Sequence, residues 1–161
     1  MKKARTTPKG NTSDDTLIGT DGNDRLKGHK GDDVLIGARG EDRLSGGKGD
    51  DYLSGNQGRD QLTGGKGADV FVFDGDFDQD TVRDFRPGQG DTMQFVLYGA
   101  EQRSWTAETL LGFFEQRGAN AVLSLPASDE TVTLRKVAVA SLGIDDFDLV
   151  QFGPEPDPLL A

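Results

Sequence analysis

The chain has 161 residues, no cysteine and a formal net charge of −10 at pH 7; 34% of it is hydrophobic and 23 residues are glycine. These totals exclude disulfide staples and thiolate metal sites, and they disfavour nucleic acid or an anionic membrane surface as the partner of so acidic a molecule. No apolar run approaches the roughly 18 residues of a membrane span, and so modest an apolar content cannot hold the fold through a large core alone.

Residues 1–9 form a basic tail, MKKARTTPK, which lacks the apolar stretch of a secretory signal peptide. From Gly10 to Val72 the chain divides into seven nonapeptides: GNTSDDTLI, GTDGNDRLK, GHKGDDVLI, GARGEDRLS, GGKGDDYLS, GNQGRDQLT and GGKGADVFV. Position 1 is always glycine and position 6 always aspartate. Position 8 is always large and apolar, through Leu17, Leu26, Leu35, Leu44, Leu53, Leu62 and Phe71. Position 4 is glycine in every unit but the first, which has Ser13.

Each unit joins turn chemistry to strand chemistry. Glycine accepts a positive φ and a close backbone neighbour without steric cost. The closing x-apolar-x triplet is a minimal strand whose middle side chain turns inward. Two turns and two short strands complete one coil of 18 residues, and stacked coils form two parallel sheets around a leucine ladder. The predicted fold is all-β: a parallel β-roll followed by a C-terminal β-rich cap containing one short helix.

Units two apart share an edge, one strand spacing of about 4.8 Å apart. One edge aligns Asp15, Asp33, Asp51 and Asp69; the other aligns Asp24, Asp42 and Asp60. Ionised carboxylates stacked so closely repel one another. A divalent cation between successive coils reverses the sign of that interaction. Ca²⁺ accepts roughly six to eight oxygens in irregular geometry, whereas Mg²⁺ demands a tight octahedron and Zn²⁺ prefers nitrogen or sulfur. Calcium is the expected ion. The pairs 15/33, 33/51, 51/69, 24/42 and 42/60 define one site each, and a sixth joins Asp60 to the acidic cluster after the roll, so five or six ions are expected.

The outward positions, 7 and 9, sort by unit parity. Even units present Arg25, Lys27, Arg43, Ser45, Gln61 and Thr63; odd units present Thr16, Ile18, Val34, Ile36, Tyr52, Ser54, Val70 and Val72. The apolar odd face is expected to be covered by the C-terminal half of the chain. The even face is a solvated surface or a contact for an acidic polysaccharide.

Residues 73–150 form the predicted cap. In FDGDFDQDTVRDF no frame meets the EF-hand requirement for glycine at the sixth loop position and glutamate at the twelfth. Asp78 falls on position 6 when the roll's frame is extended and is the first choice of terminal ligand, with Asp80 second. RPGQGD (86–91) reads as a turn. A helix is expected over 107–117, capped by Thr106, stapled by Trp105 on Leu110 and stopped by Gly118. Its stripe of Ala107, Leu110, Leu111 and Phe114 is the natural lid for the odd face. NAVLSL and ETVTLRKVAV read as two further strands, and residues 151–161 as a flexible tail.

No catalytic constellation emerges. The single histidine, His29, cannot complete a zinc-protease or serine-hydrolase motif, and no phosphate loop or dinucleotide fingerprint opens a helix. Paired carboxylates such as Asp32–Asp33 recur in too many units to be a glycosidase pair.

The nonapeptides resemble the RTX calcium-binding β-roll repeat GGxGxDxUx. Glycine at position 2 occurs here only at Gly47 and Gly65. The resemblance implies calcium held between turns by the position-6 aspartates, Asp15, Asp24, Asp33, Asp42, Asp51, Asp60 and Asp69. With them act backbone carbonyls of the loops, assigned to Gly19, Gly22, Gly28, Gly31, Gly37, Gly40, Gly46, Gly49, Gly55, Gly58, Gly64 and Gly67. The sequence DTVRDF, then GQGD, the short helix, the strand pair and SLGIDDF is similar to the closing region of RTX proteins exported by type I secretion. It is also similar to serralysin C-terminal regions and mannuronan epimerase R-modules. These likenesses imply a secreted, extracellular, monomeric, non-catalytic module that folds on calcium, with an export signal near DFDLV and the terminal DPLLA read by type I secretion machinery. The alternatives are an accessory module of a lyase or epimerase that binds an alginate-like polysaccharide, and the C-terminal part of a larger protease or toxin.

Overall fold

The computed structural model describes residues 8–97, 105–126 and 128–151. The tail over 1–7 and the terminal DPLLA of the expected export signal lie outside the described residues, whereas its DFDLV stretch, 146–150, lies within them. The repeats fold as β1 (Thr16–Ile18), β2 (Arg25–Lys27), β3 (Val34–Arg39), β4 (Arg43–Lys48), β5 (Tyr52–Gln57), β6 (Gln61–Lys66) and β7 (Val70–Asp74). They are followed by β8 (Gln79–Val82), β9 (Thr92–Leu97), α1 (Ala107–Gly112), β10 (Phe114–Arg117), β11 (Asn120–Ser124), β12 (Thr131–Leu134) and β13 (Phe147–Gln151).

Odd units build one sheet in the order β1-β3-β5-β7-β9-β13, and even units build another in the order β10-β11-β12-β8-β6-β4-β2. Pairing within the roll is parallel with an 18-residue register, as in Leu35↔Leu53 and Leu44↔Leu62. This is the expected β-roll. Strands β3–β6 are six residues long, twice the expected three, because pairing continues from position 7 through position 3 of the next unit.

The core is the ladder between the sheets. Leu26, Leu35, Leu44, Leu53, Leu62 and Phe71 are all 0–1% exposed. Burying each leucine side chain contributes about 1.5–3 kcal/mol, and no repeat could do so without its neighbours. Leu17, in the terminal coil, is only partly buried. After Phe71 the ladder thickens into an aromatic cluster: Phe73 stacks on Phe95 at 5.0 Å and meets Phe77 edge-on at 5.3 Å.

The C-terminal half extends both sheets. β9 and β13 lengthen the odd sheet in parallel, whereas β12 pairs with β8 in parallel and continues into the antiparallel β11 and β10. Thr106 caps α1 by accepting the Thr109 N–H, as expected, but the helix ends at Gly112 and not near 117. Phe114 is drawn into the core opposite Leu123, so the chain from Phe114 onward is a strand. Gly118, with φ 62°, serves the β10–β11 hairpin and not a helix end. Trp105 packs edge-on against Phe113 at 5.4 Å, a contact absent from the expected staple.

The helical stripe does not lie over the odd sheet's outer face. Leu110 is fully buried in the continuation of the inter-sheet core, and α1 packs on β13 and the single-turn helix at 144–146. The outer face is graded: Ile18 is 61% exposed at one end, while Ser54 and Val72 are buried further along. The Tyr52 hydroxyl crosses β7 to donate to Gln94 Oε1 on β9 at 3.3 Å, which lays its ring along the β7 surface.

Candidate metal centre

The position-6 aspartates form two ladders along the edges. On each, one carboxylate oxygen reaches back to the aspartate of the coil before. Asp33 Oδ1 accepts from Asp15 N (2.8 Å), Asp51 Oδ1 from Asp33 N (2.9 Å) and Asp69 Oδ1 from Asp51 N (3.0 Å). On the even edge Asp42 Oδ1 accepts from Asp24 N (2.7 Å), Asp60 Oδ1 from Asp42 N (2.7 Å) and Asp80 Oδ1 from Asp60 N (2.9 Å).

The second oxygen is the anomaly. Oδ2 of Asp33, Asp42, Asp51, Asp60, Asp69 and Asp80 is buried without any hydrogen-bond partner. An unpaired buried carboxylate oxygen is among the costlier features a fold can contain, and here it recurs in register. Burial therefore raises these carboxyls above the ordinary value of 3.8, with neighbouring carboxylates adding to the rise and the accepted N–H opposing it. Asp42 and Asp69 reach about 6, Asp51 and Asp60 about 7, and Asp80 about 8. Asp33 is raised for the same reason.

The position-1 glycines frame these oxygens. A Cβ built on Gly28, Gly37, Gly46, Gly55 or Gly64 would collide with Oδ2 of the aspartate in its own turn. The spot is also faced by a carbonyl of the next coil: Gly28 O beside Asp15, Gly37 O beside Asp24 and Gly55 O beside Asp42. These glycines need no positive φ; they are glycine because a side chain would fill the cradle. Position 4 differs: Gly31, Gly40, Gly49, Gly58 and Gly67 have φ of 107–133° and press on the backbone of the preceding coil. Gly22 does not share that conformation.

Among the described residues no three acidic or histidine side chains converge, so a cation here would draw on main-chain carbonyls as well as carboxylates. A set of hard oxygens with one unsatisfied anionic member fits calcium and offers zinc no nitrogen or sulfur.

The ladder ends only partly where expected. Asp80, not Asp78, takes the terminal even-edge position; Asp78 is exposed, with φ 52°. Asp91 ends the odd edge and was missed: Oδ1 accepts from Asp69 N (3.2 Å) and Oδ2 from Arg86 N (2.8 Å). Both termini repeat an Asp-Thr-apolar triplet, Asp80-Thr81-Val82 and Asp91-Thr92-Met93, and that triplet is the signal that could have located them. A second ladder at position 5 was also missed. Asp14 Oδ1 accepts from Asp32 N, Asp32 Oδ1 from Asp50 N and Asp50 Oδ1 from Ala68 N, at 2.7–2.8 Å, with all three acids exposed.

Fold and edge chemistry together define a calcium-binding parallel β-roll. The RTX calcium-binding nonapeptide repeat (four copies) matches residues 9–44, 36–71 and 45–82. Residues 9–82 thus carry the repeats of this RTX family. Similar solved structures include the extracellular lipase LipA from Serratia marcescens, at 19% identity and a TM-score of 0.45 over 92% of this chain. Another is the AlgE6R3 subunit of the Azotobacter vinelandii mannuronan C5-epimerase, at 30% identity and a TM-score of 0.37, over 86% of this chain and 79% of that one. The chain spans 40% of the lipase. No match is found among the curated proteins.

Proposed function

We propose that this is a secreted, monomeric, non-catalytic module whose folding is driven by calcium after export by type I secretion machinery. The observation that carries the reading is the row of six buried Oδ2 atoms without partners. Asp33, Asp42, Asp51, Asp60, Asp69 and Asp80 would hold one ion each, with position-1 glycine carbonyls such as that of Gly55 completing the oxygen set. When bound, calcium supplies the positive charge that lets these carboxylates stay ionised inside the fold. The protein's own groups do the rest: each Oδ1 is tied to the neighbouring coil's N–H, which aims Oδ2 at the cradle, and the missing Cβ at position 1 keeps that cradle open. Metal-binding free energy then becomes folding free energy, at the roughly 10⁻⁴–10⁻³ M affinities common in extracellular modules. The absence of catalysis is read from a sequence with one histidine and no cysteine. Circular dichroism in chelator and in millimolar calcium tests the reading. The expected result is a weakly structured chain that gains β-signal on calcium addition; a chain equally folded in both refutes it.

A groove on the outer face of the even sheet favours a second reading. Arg25, Lys27, Arg43, Gln61, Thr63 and Arg83 line it, and Arg25 stands directly beside Arg43 across β2 and β4. Arg83 donates to Gln61 Oε1 at 2.7 Å, which holds it along the same face. Clustered cations on so acidic a chain suit an acidic polysaccharide. Loss of uronate-polymer binding in Arg25→Ser/Arg43→Ser would support this; unchanged binding would refute it.

A further inference from the structure

The first coil closes its turns differently from the others, and the difference decides which aspartates can meet a cation. From the third unit onward position 2 is left-handed: His29 (φ 89°), Ala38 (83°), Gly47 (134°), Asn56 (63°) and Gly65 (119°). In that conformation the position-2 N–H leaves its own turn; His29 N donates to Gly46 O of the next coil at 2.9 Å. Asn11 and Thr20, the position-2 residues of the first two units, are not left-handed. Their donors fall on the aspartate of their own turn. Asn11 N donates to Asp15 Oδ2 (2.7 Å) and Asn11 Nδ2 to Asp15 Oδ1 (3.0 Å). Thr20 donates to Asp24 Oδ2 twice, from its N–H (2.5 Å) and from its hydroxyl (2.9 Å).

Oδ2 is the atom that stands bare in the six later aspartates. A donor proton directed at it takes up one of its lone pairs and sets positive partial charge where a cation would have to sit. The side chains around Asn11 fasten this arrangement: Asn11 Oδ1 accepts from Thr12 N, Ser13 N and the Ser13 hydroxyl. Ser13 in place of the usual glycine is thus part of the closure.

We infer that handedness at position 2 opens or shuts the cradle of each nonapeptide, and that the first coil is a metal-free cap whose Asp15 and Asp24 are satisfied by protein donors. The inference rests on the calcium reading above, applied residue by residue. Two of the seven repeat aspartates expected from the sequence to be ligands therefore bind no ion through Oδ2. The turns of the first coil are closed by their own hydrogen bonds.

Native mass spectrometry of the full chain in a calcium titration counts the ions and tests this. Asp15→Asn and Asp24→Asn are each expected to leave the maximal count unchanged, whereas Asp42→Asn lowers it by one. Loss of an ion in either of the first two variants overturns the cap. Thr20→Gly removes the hydroxyl and frees position 2 to turn left-handed, and it is expected to add one ion. An unchanged count in Thr20→Gly overturns the role of handedness, and this arm stands even where an aspartate variant folds poorly. An unmodified chain that takes up no calcium would sink the calcium reading itself, a result distinct from a wrong assignment of Asp15 and Asp24.

Discussion

Replacing Asp42 by asparagine should move stability in opposite directions with and without calcium. Asp42 is 1% exposed; its Oδ1 accepts the Asp24 N–H, and its Oδ2 has no partner and lies in the cradle that Gly55 O also faces. An asparagine keeps the Oδ1 bond, and its amide nitrogen can donate to the carbonyl that the carboxylate oxygen repels. The carboxyl is raised from 3.8 to about 6 by burial. At about 1.4 kcal/mol per unit, that is a ceiling of about 3 kcal/mol against the metal-free fold near neutral pH. Water entry and local relaxation reduce it to roughly 1–2 kcal/mol. In chelator, then, Asp42→Asn should be the more stable protein by that amount. In calcium at about a hundredfold over Kd, each site contributes about 2.7 kcal/mol, and the variant should forgo one such contribution. The folded fraction in chelator by circular dichroism, and urea denaturation in calcium, read both. A variant that is less stable in chelator while retaining the full calcium increment would refute the reasoning.

The pH dependence of the metal-free chain follows from the same groups. Their folded-state pKa values lie at about 6 for Asp42 and Asp69, about 7 for Asp51 and Asp60 and about 8 for Asp80, all above the ordinary 3.8. Folding thus favours the protonated carboxyls, and their stabilisation is complete below about pH 4 and lost as pH rises through 6 to 8. Circular dichroism in chelator should show structure at pH 4 that fades by pH 8, and the reverse trend would contradict it. Gly37→Ala drives a methyl into Asp42 Oδ2 and to 2.7 Å from Gly55 O; a loss of about 1–3 kcal/mol and of one bound ion is expected in calcium-containing denaturation and mass measurements. Ala38→Gly relieves a left-handed alanine (φ 83°). The relief of about 1–2 kcal/mol is partly offset by glycine's unfolded-state freedom of about 0.5–1 kcal/mol, so the melting temperature should rise by a few degrees, and a fall would refute the strain.

The roll was legible because its period is enforced by two unlike demands in every unit. Position 8 must fill the space between the sheets and position 1 must leave a cradle empty, and few residues do either. Beyond Val72 the frame slips: Asp60 meets Asp80 across 20 residues and Asp69 meets Asp91 across 22, where the repeats keep 18. Extending the nonapeptide frame therefore pointed to Asp78 and passed over Asp91. Helical spacing in 107–117 was real for one turn and a half. Tertiary demand then took over, because Phe114 is worth more opposite Leu123 in the core than on a lengthened helix. His29 and Ala38 adopt a conformation that suits glycine because coils stacked on both sides hold them there. The contrast between closed turns at Asn11 and Thr20 and open turns after them depends on where each N–H points, a quantity that composition alone does not carry.

Successive repeats feed opposite walls, and so the molecule is built in storeys. Removing nine residues would hand every later repeat to the other wall, exchanging the arginine-bearing exterior for the isoleucine-bearing one and presenting the closing strands to the wrong neighbours. Removing eighteen takes away one whole storey and leaves the address of each downstream residue intact. Length in such a chain is quantised, and only even-numbered edits of the nonapeptide are silent to its architecture.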